Sequence, residues 1–287
     1  MTWAVISSIA ATVEYVLNRS ILGREQEMLS FARDGQIRAI VASEQPLVLG
    51  TVLAACIPLV MYCRLGKPRL TAAVLMIGSY STGSRAPTAL AALFFLLQFV
   101  PGAVHFARQR YRAARFAWIT TLLGLMSFSF FVWTPVIAGS SGMGFSTQYR
   151  TAMYSLLPNI LQEAPFGYGF GPIPTGRWLM SAKLYGVVDL AVTVDSELVY
   201  SALGFGFLGV GAFAIATYIG VAAMRYDYAI SASCTVISVA GLILALHAWD
   251  SVGPFWYLLI GGACWTIVDG RSVRPERVAL GSVPLTL

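Results

Sequence analysis

Charge is scarce in this sequence: Asp, Glu, Lys and Arg make up 11% of its 287 residues, against about 25% in an ordinary soluble domain. With 57% hydrophobic residues and a mean hydropathy of +0.71, too little polar surface is left to coat a globule in water, and the chain reads as a bilayer protein. Histidine is scarcer still. Only His105 and His247 occur, with no HExxH and no Cys/His cluster, which excludes a protein-built zinc site. No metal and no cofactor are expected. Cys56, Cys63, Cys234 and Cys264 fall inside apolar runs without a CxxC and read as small packing residues. A basic domain is missing too. The 19 Lys and Arg are scattered between apolar runs, a pattern that suits membrane orientation and excludes a nucleic-acid partner. Repeats, low-complexity tracts and a second soluble domain are absent, so residues 1–287 are expected to form a single transmembrane domain. The opening "MTWAVISSIAATVEYV" has no positive start and carries Glu14 late in the run, which reads as a first span and not as a removable leader.

What is present in quantity is apolar length. Runs near 2–18, 46–63, 69–84, 86–104, 116–138, 197–222, 229–248 and 254–268 approach the roughly 20 residues that cross hydrocarbon. The expected fold is all-α: a polytopic bundle of about eight spans with a large, partly helical outer loop, 139–194, between spans five and six. With the N-terminus inside, the inner loops hold Arg64, Lys67, Arg69, Arg108, Arg110, Arg112, Arg115, Arg225, Arg271, Arg274 and Arg277 against only Asp227, Asp269 and Glu276. That excess follows the positive-inside rule. In the outer loop, Met153, Leu156, Leu157, Ile160 and Leu161 recur at helical spacing and predict a surface helix that stops before Pro165.

On this topology Arg38, Arg85, Arg150, Arg177, Asp189, Asp195, Glu197, His247 and Asp250 all lie toward the outer side. Arginine forks at an outer membrane surface suit the pyrophosphate of a lipid-linked substrate. A carboxylate beside them, Asp195 or Glu197, could take the proton of an attacking hydroxyl. Each residue also has a plain structural reading. Arg85 is equally a snorkelling span end, Arg150 an anchor for the surface helix, and Asp195 an N-cap for the next span. Asp195 and Glu197, two apart, should not face one site together. His247 and Asp250 read as polar interface residues as well as candidate ligands of the substrate. "GYGFGP" reads as a flexible turn that lets backbone approach substrate or membrane, and Ala202 with Gly206 as a small-residue packing seam.

Taken in order, "IRAIVASEQPLVLGTVLAACIPLVMY", "STGSRAPTALAALF", "YRTAMYSLLPNILQEAPFGYGFGP" and "VDSELVYSALGFGFLGVGAF" resemble the O-antigen ligase and polymerase family of membrane glycosyltransferases. The resemblance implies an all-helical bacterial inner-membrane protein whose outer loop roofs a cavity for a polyprenyl-pyrophosphate-linked glycan on the extracytoplasmic side. It implies metal-independent inverting transfer, with Arg38, Arg85 and Arg150 holding the pyrophosphate. A chain-length regulator or an export component would be its protein partner. Ligases of the family commonly carry a histidine–asparagine pair where this chain has Asp195 and Ser196. A polymerase of surface-polysaccharide repeat units is therefore preferred, with a ligase acting on a lipid acceptor as the alternative. A lipid-linked sugar transporter or a non-catalytic membrane partner is the reading from another class. Family members usually carry further spans before the matched region, so the resemblance implies a chain like the C-terminal two-thirds or so of one, either a short natural form or a fragment that lacks part of the cavity.

Overall fold

The computed structural model describes residues 1–32, 37–43, 45–60, 67–97, 99, 143–182, 186–224, 226–246 and 252–272. The expected span at 116–138, and His247 and Asp250, lie outside the described residues. Helices α1 (Thr2–Leu17), α2 (Glu25–Ser30), α3 (Pro46–Leu59), α4 (Pro68–Ser81) and α5 (Arg85–Leu97) are followed by α6 (Met143–Glu163). A hairpin of β1 (Leu179–Ala182) and β2 (Gly186–Asp189) comes next, then α7 (Glu197–Ala223), α8 (Tyr228–Ala240) and α9 (Val252–Ser272).

Helix α3 is apolar on every side, and nearly all of it is buried, as expected of a central helix. Its Pro46, like Pro68 of α4, stands in the first turn, where no N–H is needed. Around α3 pack α4, α5 and α8, with α1 behind α4. Helices α1 and α4 run parallel: Ser8 Oγ donates to Val74 O at 2.5 Å, and Tyr15 meets Tyr80 edge-on. Helix α8 runs antiparallel to α9, tied by Trp256 Nε1 donating to Ser238 Oγ at 2.9 Å. These helices share one apolar core, and a second core joins Tyr149, Met153 and Ile160 of α6 to Trp178, Met180, Leu190, Val199, Ala202 and Leu203.

Each of the other seven expected spans contains helix among its described residues, but the one expected at 229–248 stops at Ala240 and is followed by turns. Length and composition make α7 and Val252–Asp269 of α9 long and apolar enough to cross a membrane, and only 33% and 28% of those segments is buried within the protein. Thr2–Leu17, Pro46–Leu59, Arg85–Leu97 and Tyr228–Ala240 are apolar but shorter. Large side chains such as Val16, Leu208, Leu258 and Trp265 look outward. The β hairpin corrects the all-α expectation. Leu179 pairs with Asp189 and Ala182 with Gly186, and two four-residue strands carry too short an alternation to stand out in the sequence.

Helix α7 is broken. Gly206 sits at φ 58°, ψ −134°, a backbone region open in practice only to glycine. Leu203 O and Gly204 O accept from Tyr168 N–H (2.8 Å) and Gly169 N–H (2.7 Å), while Phe207 N–H donates to Pro165 O at 2.9 Å. The Pro165–Gly169 turn thus satisfies main-chain groups at the break. The bend is sharp. A Cβ on Gly209 would lie 2.0 Å from Ser201 O, yet eight residues of straight helix rise about 12 Å. Glu197 N–H likewise reaches Gly241 O at 2.7 Å, and Gly241 also packs against Phe213. Gly206 is therefore the apex of a bent pair of helices and not a seam residue, and the close approach at Gly167 is to the Gly204 main chain of this same protein.

Candidate functional site

The structure gathers the predicted residues at two corners. The first is the α4–α5 turn. Arg38 Nε donates to Thr82 O at 3.0 Å and its Nη2 to Ser84 Oγ at 2.7 Å, its stem lying over Gly83. Arg85, the next residue, is exposed and opens α5. The Arg38 guanidinium thus lies on the turn that leads into α5, whose first residue is Arg85; cationic side chains at the positive end of a helix repel cations and attract anions.

Arg38 is held there by a buried carboxylate. Glu14, fully buried near the end of α1, accepts from Ile21 N–H (3.1 Å), Ile40 N–H (3.2 Å), Val41 N–H (3.0 Å) and, more distantly, Ser20 Oγ (3.4 Å). Val41 has φ 46°, unusual for a β-branched residue. Successive N–H groups at such a turn form an anion-binding nest, which here holds Glu14. Arg24 Nη1 closes the other side on Val41 O (3.1 Å) and Ser43 O (2.9 Å). Asn18 Oδ1 accepts Ile37 N–H at 2.9 Å, and Ala39 N–H donates to Ser81 O at 3.3 Å. The segment carrying Arg38 is pinned from three helices.

The second corner joins α6, the start of α7 and the turn after α8. Tyr149 Oη donates to Thr193 O at 2.9 Å. Tyr154 Oη donates to Leu242 O and lies 2.9 Å from Ser196 Oγ, the atom that also accepts Val199 N–H as the N-cap of α7. Ser196, and not Asp195, is therefore the cap, and the Asp195 carboxylate is left for other work. Burial raises the ionisation of both phenols, so they remain hydroxyl donors at neutral pH. Arg150, one helical turn before Tyr154, acts electrostatically on Asp195 and on both tyrosines.

Asp195 is exposed as a residue, with protein packed around much of its carboxyl. That burial pushes its carboxyl above the ordinary range, and the Arg150 charge draws it partly back. The folded carboxyl holds its proton to higher pH than the unfolded one. Ionising it therefore lowers stability once pH rises through the folded pKa, and the penalty vanishes at pH low enough to protonate both states. Asp195→Asn should raise the thermal midpoint at pH 7, an advantage that shrinks as pH falls through the carboxylate range. Equal midpoints at pH 7 would contradict a desolvated carboxyl.

Other expected site residues fall elsewhere. Glu197 is 4% exposed and so faces packing, unlike the exposed Asp195; its Oε1 accepts from Ser201 Oγ at 3.4 Å. Arg177 donates through Nε (3.1 Å) and Nη2 (2.7 Å) to Glu163 and ties the hairpin to the end of α6. Asp189 is used in the same loop, accepting from Gly176 N–H at 2.6 Å. Sequence reasoning missed Tyr154, Ser196 and Glu14 as positioning residues. The i, i+4 spacing of Arg150 and Tyr154 was the one signal available for the first. Among the described residues no three His, Cys, Asp or Glu side chains group as a metal site. No family model, characterised protein or solved structure matches this chain.

Proposed function

We propose that this chain is a polytopic inner-membrane glycosyltransferase of about eight spans that polymerises polyprenyl-pyrophosphate-linked oligosaccharide repeat units on the extracytoplasmic side. The observation that carries the reading is the Arg38–Arg85 corner, two arginines gathered on one turn at a helix N-terminus. There they would neutralise a pyrophosphate as it departs. Asp195, beside Arg150, has the raised affinity for a proton that suits a base acting on an acceptor hydroxyl. In that step the acceptor oxygen attacks the anomeric carbon and its proton passes to Asp195. The bond to the lipid pyrophosphate breaks, its electron pair leaving with the phosphate, and the anomeric centre inverts. All of these steps run on side chains of this protein.

The test is chain extension on a radiolabelled lipid-linked repeat unit by purified protein in nanodiscs. Arg38→Ala, Arg85→Ala and Arg150→Ala should fold and lose activity by about 100-fold, the scale of removing one charge-stabilising donor. Wild-type extension by folded Arg85→Ala would remove the assignment. A product carried on a lipid acceptor instead of a lengthened chain would favour the ligase alternative. The break in α7 favours one further reading, since discontinuous helices are common in transporters. Translocation of the labelled lipid in proteoliposomes without any new glycosidic bond would establish that reading in place of the polymerase.

A further inference from the structure

The apex of α7 carries a patch that the proposed chemistry does not use. Phe166 is 76% exposed, Phe170 98%, Phe207 60% and Phe205 40%, and Phe170 meets Phe205 edge-on at 5.2 Å. From Ala164 to Gly176 the chain has no Asp, Glu, Lys or Arg. Four phenylalanines on an uncharged turn are costly to leave in water. The turn is also fixed in place by the three main-chain hydrogen bonds at the break, so the rings cannot withdraw together with it.

Their level along the bundle follows from the helix. The leg from Phe207 to Ala223 is about 25 Å long at 1.5 Å per residue, slightly short of a hydrocarbon core of about 30 Å. The opposite end of that leg leads into Asp227, the N-cap of α8. The apex then falls at the other boundary of the bilayer, the level at which the apolar side chains of interfacial segments, phenylalanine among them, insert.

We infer that Phe166, Phe170, Phe205 and Phe207 form an anchor that inserts into the headgroup–acyl boundary of the bilayer and sets the depth of the apex. The partner is the lipid surface. This inference rests on the membrane character of the chain and not on any glycosyl transfer, so the two stand or fall separately.

The test places p-benzoyl-phenylalanine at position 170, and separately at 166, in the full chain reconstituted in nanodiscs of phosphatidylethanolamine and phosphatidylglycerol. After irradiation, the peptide spanning each position is weighed by mass spectrometry. Both side chains are exposed, and the replacement is aromatic, so folding should survive; a wild-type thermal midpoint checks that. The expected result is a mass increase of one phospholipid at 166 and at 170. The same probe at Gln162, exposed beside the Glu163–Arg177 ion pair, should give none. Unmodified peptides at 166 and 170, or crosslinks joining two copies of the chain, would overturn the anchor.

Discussion

Gly206→Ala should cost this protein on the order of 3 kcal/mol, and Gly206→Val more, because two penalties fall on one position. A side chain at φ 58°, ψ −134° is strained whatever surrounds it, and here a Cβ would lie 2.0 Å from Pro165 O and 2.3 Å from Pro165 C. Those are main-chain atoms, which cannot rotate aside as a flexible side chain would. Relief would require the Pro165–Gly169 turn to leave the break, which would strand Leu203 O, Gly204 O and Phe207 N–H. Thermal unfolding in nanodiscs should show the alanine midpoint lower by roughly 10 °C, taking a few degrees per kcal/mol for a chain of this size. Gly211→Ala provides the contrast: nothing lies within 4 Å of the added carbon, so that variant should match or exceed the parent. A Gly206→Ala protein as stable as Gly211→Ala would mean that the bend does not exist in the folded chain.

Glu14→Ala should be nearly as severe, at about 3–5 kcal/mol, since it removes the acceptor for three backbone N–H groups, Ile21, Ile40 and Val41. Glu14→Gln should fall between parent and alanine: the amide keeps the volume and one acceptor oxygen, but its NH2 would face a donor. The damage should also be local in a way that a general loss of packing is not. Val41 keeps its left-handed backbone only while the carboxylate and Arg24 hold both sides of it. Hydrogen exchange in Glu14→Gln should therefore quicken first across 37–43, ahead of α8 and α9. Uniform quickening over the whole chain would count against the pin. Arg38 rides on this segment, so under the proposed function Glu14→Gln should also lower chain extension without touching substrate.

The helices were legible in the sequence because apolar runs with Pro or Gly at their ends leave few alternatives; Pro46–Leu59 and Arg85–Leu97 lie within the expected spans or a residue from them. Arg85 was legible as a span end, and its neighbour Arg38 was found by order along the chain. That the two share a turn depends on Thr82 O and Ser84 Oγ, atoms with no signature at a distance of forty-odd residues. The sequence leaves Asp195 open as a cap or a base, because Asp and Ser are near-equal caps and only the Val199 N–H, which bonds Ser196, distinguishes them. Gly206 was read as packing because glycine in an apolar run normally signals close helix contact. A break recognised through main-chain hydrogen bonds leaves no trace in side-chain pattern. Glu14 looked like an oddity of the first span, and its partners are backbone groups that any residue supplies.

The joint between the 165–169 turn and α7 is made by peptide groups on both sides. The Phe166 and Phe170 side chains take no part in that joint, whereas Tyr168 Oη accepts from Trp178 Nε1 at 3.0 Å and its ring packs on the second core. Natural variation could exchange Phe166 or Phe170 and leave the architecture intact, provided Tyr168 keeps its bond to Trp178 and glycine persists at 167 and 206. The outer face of the turn can thus drift while the beam beneath it stays fixed.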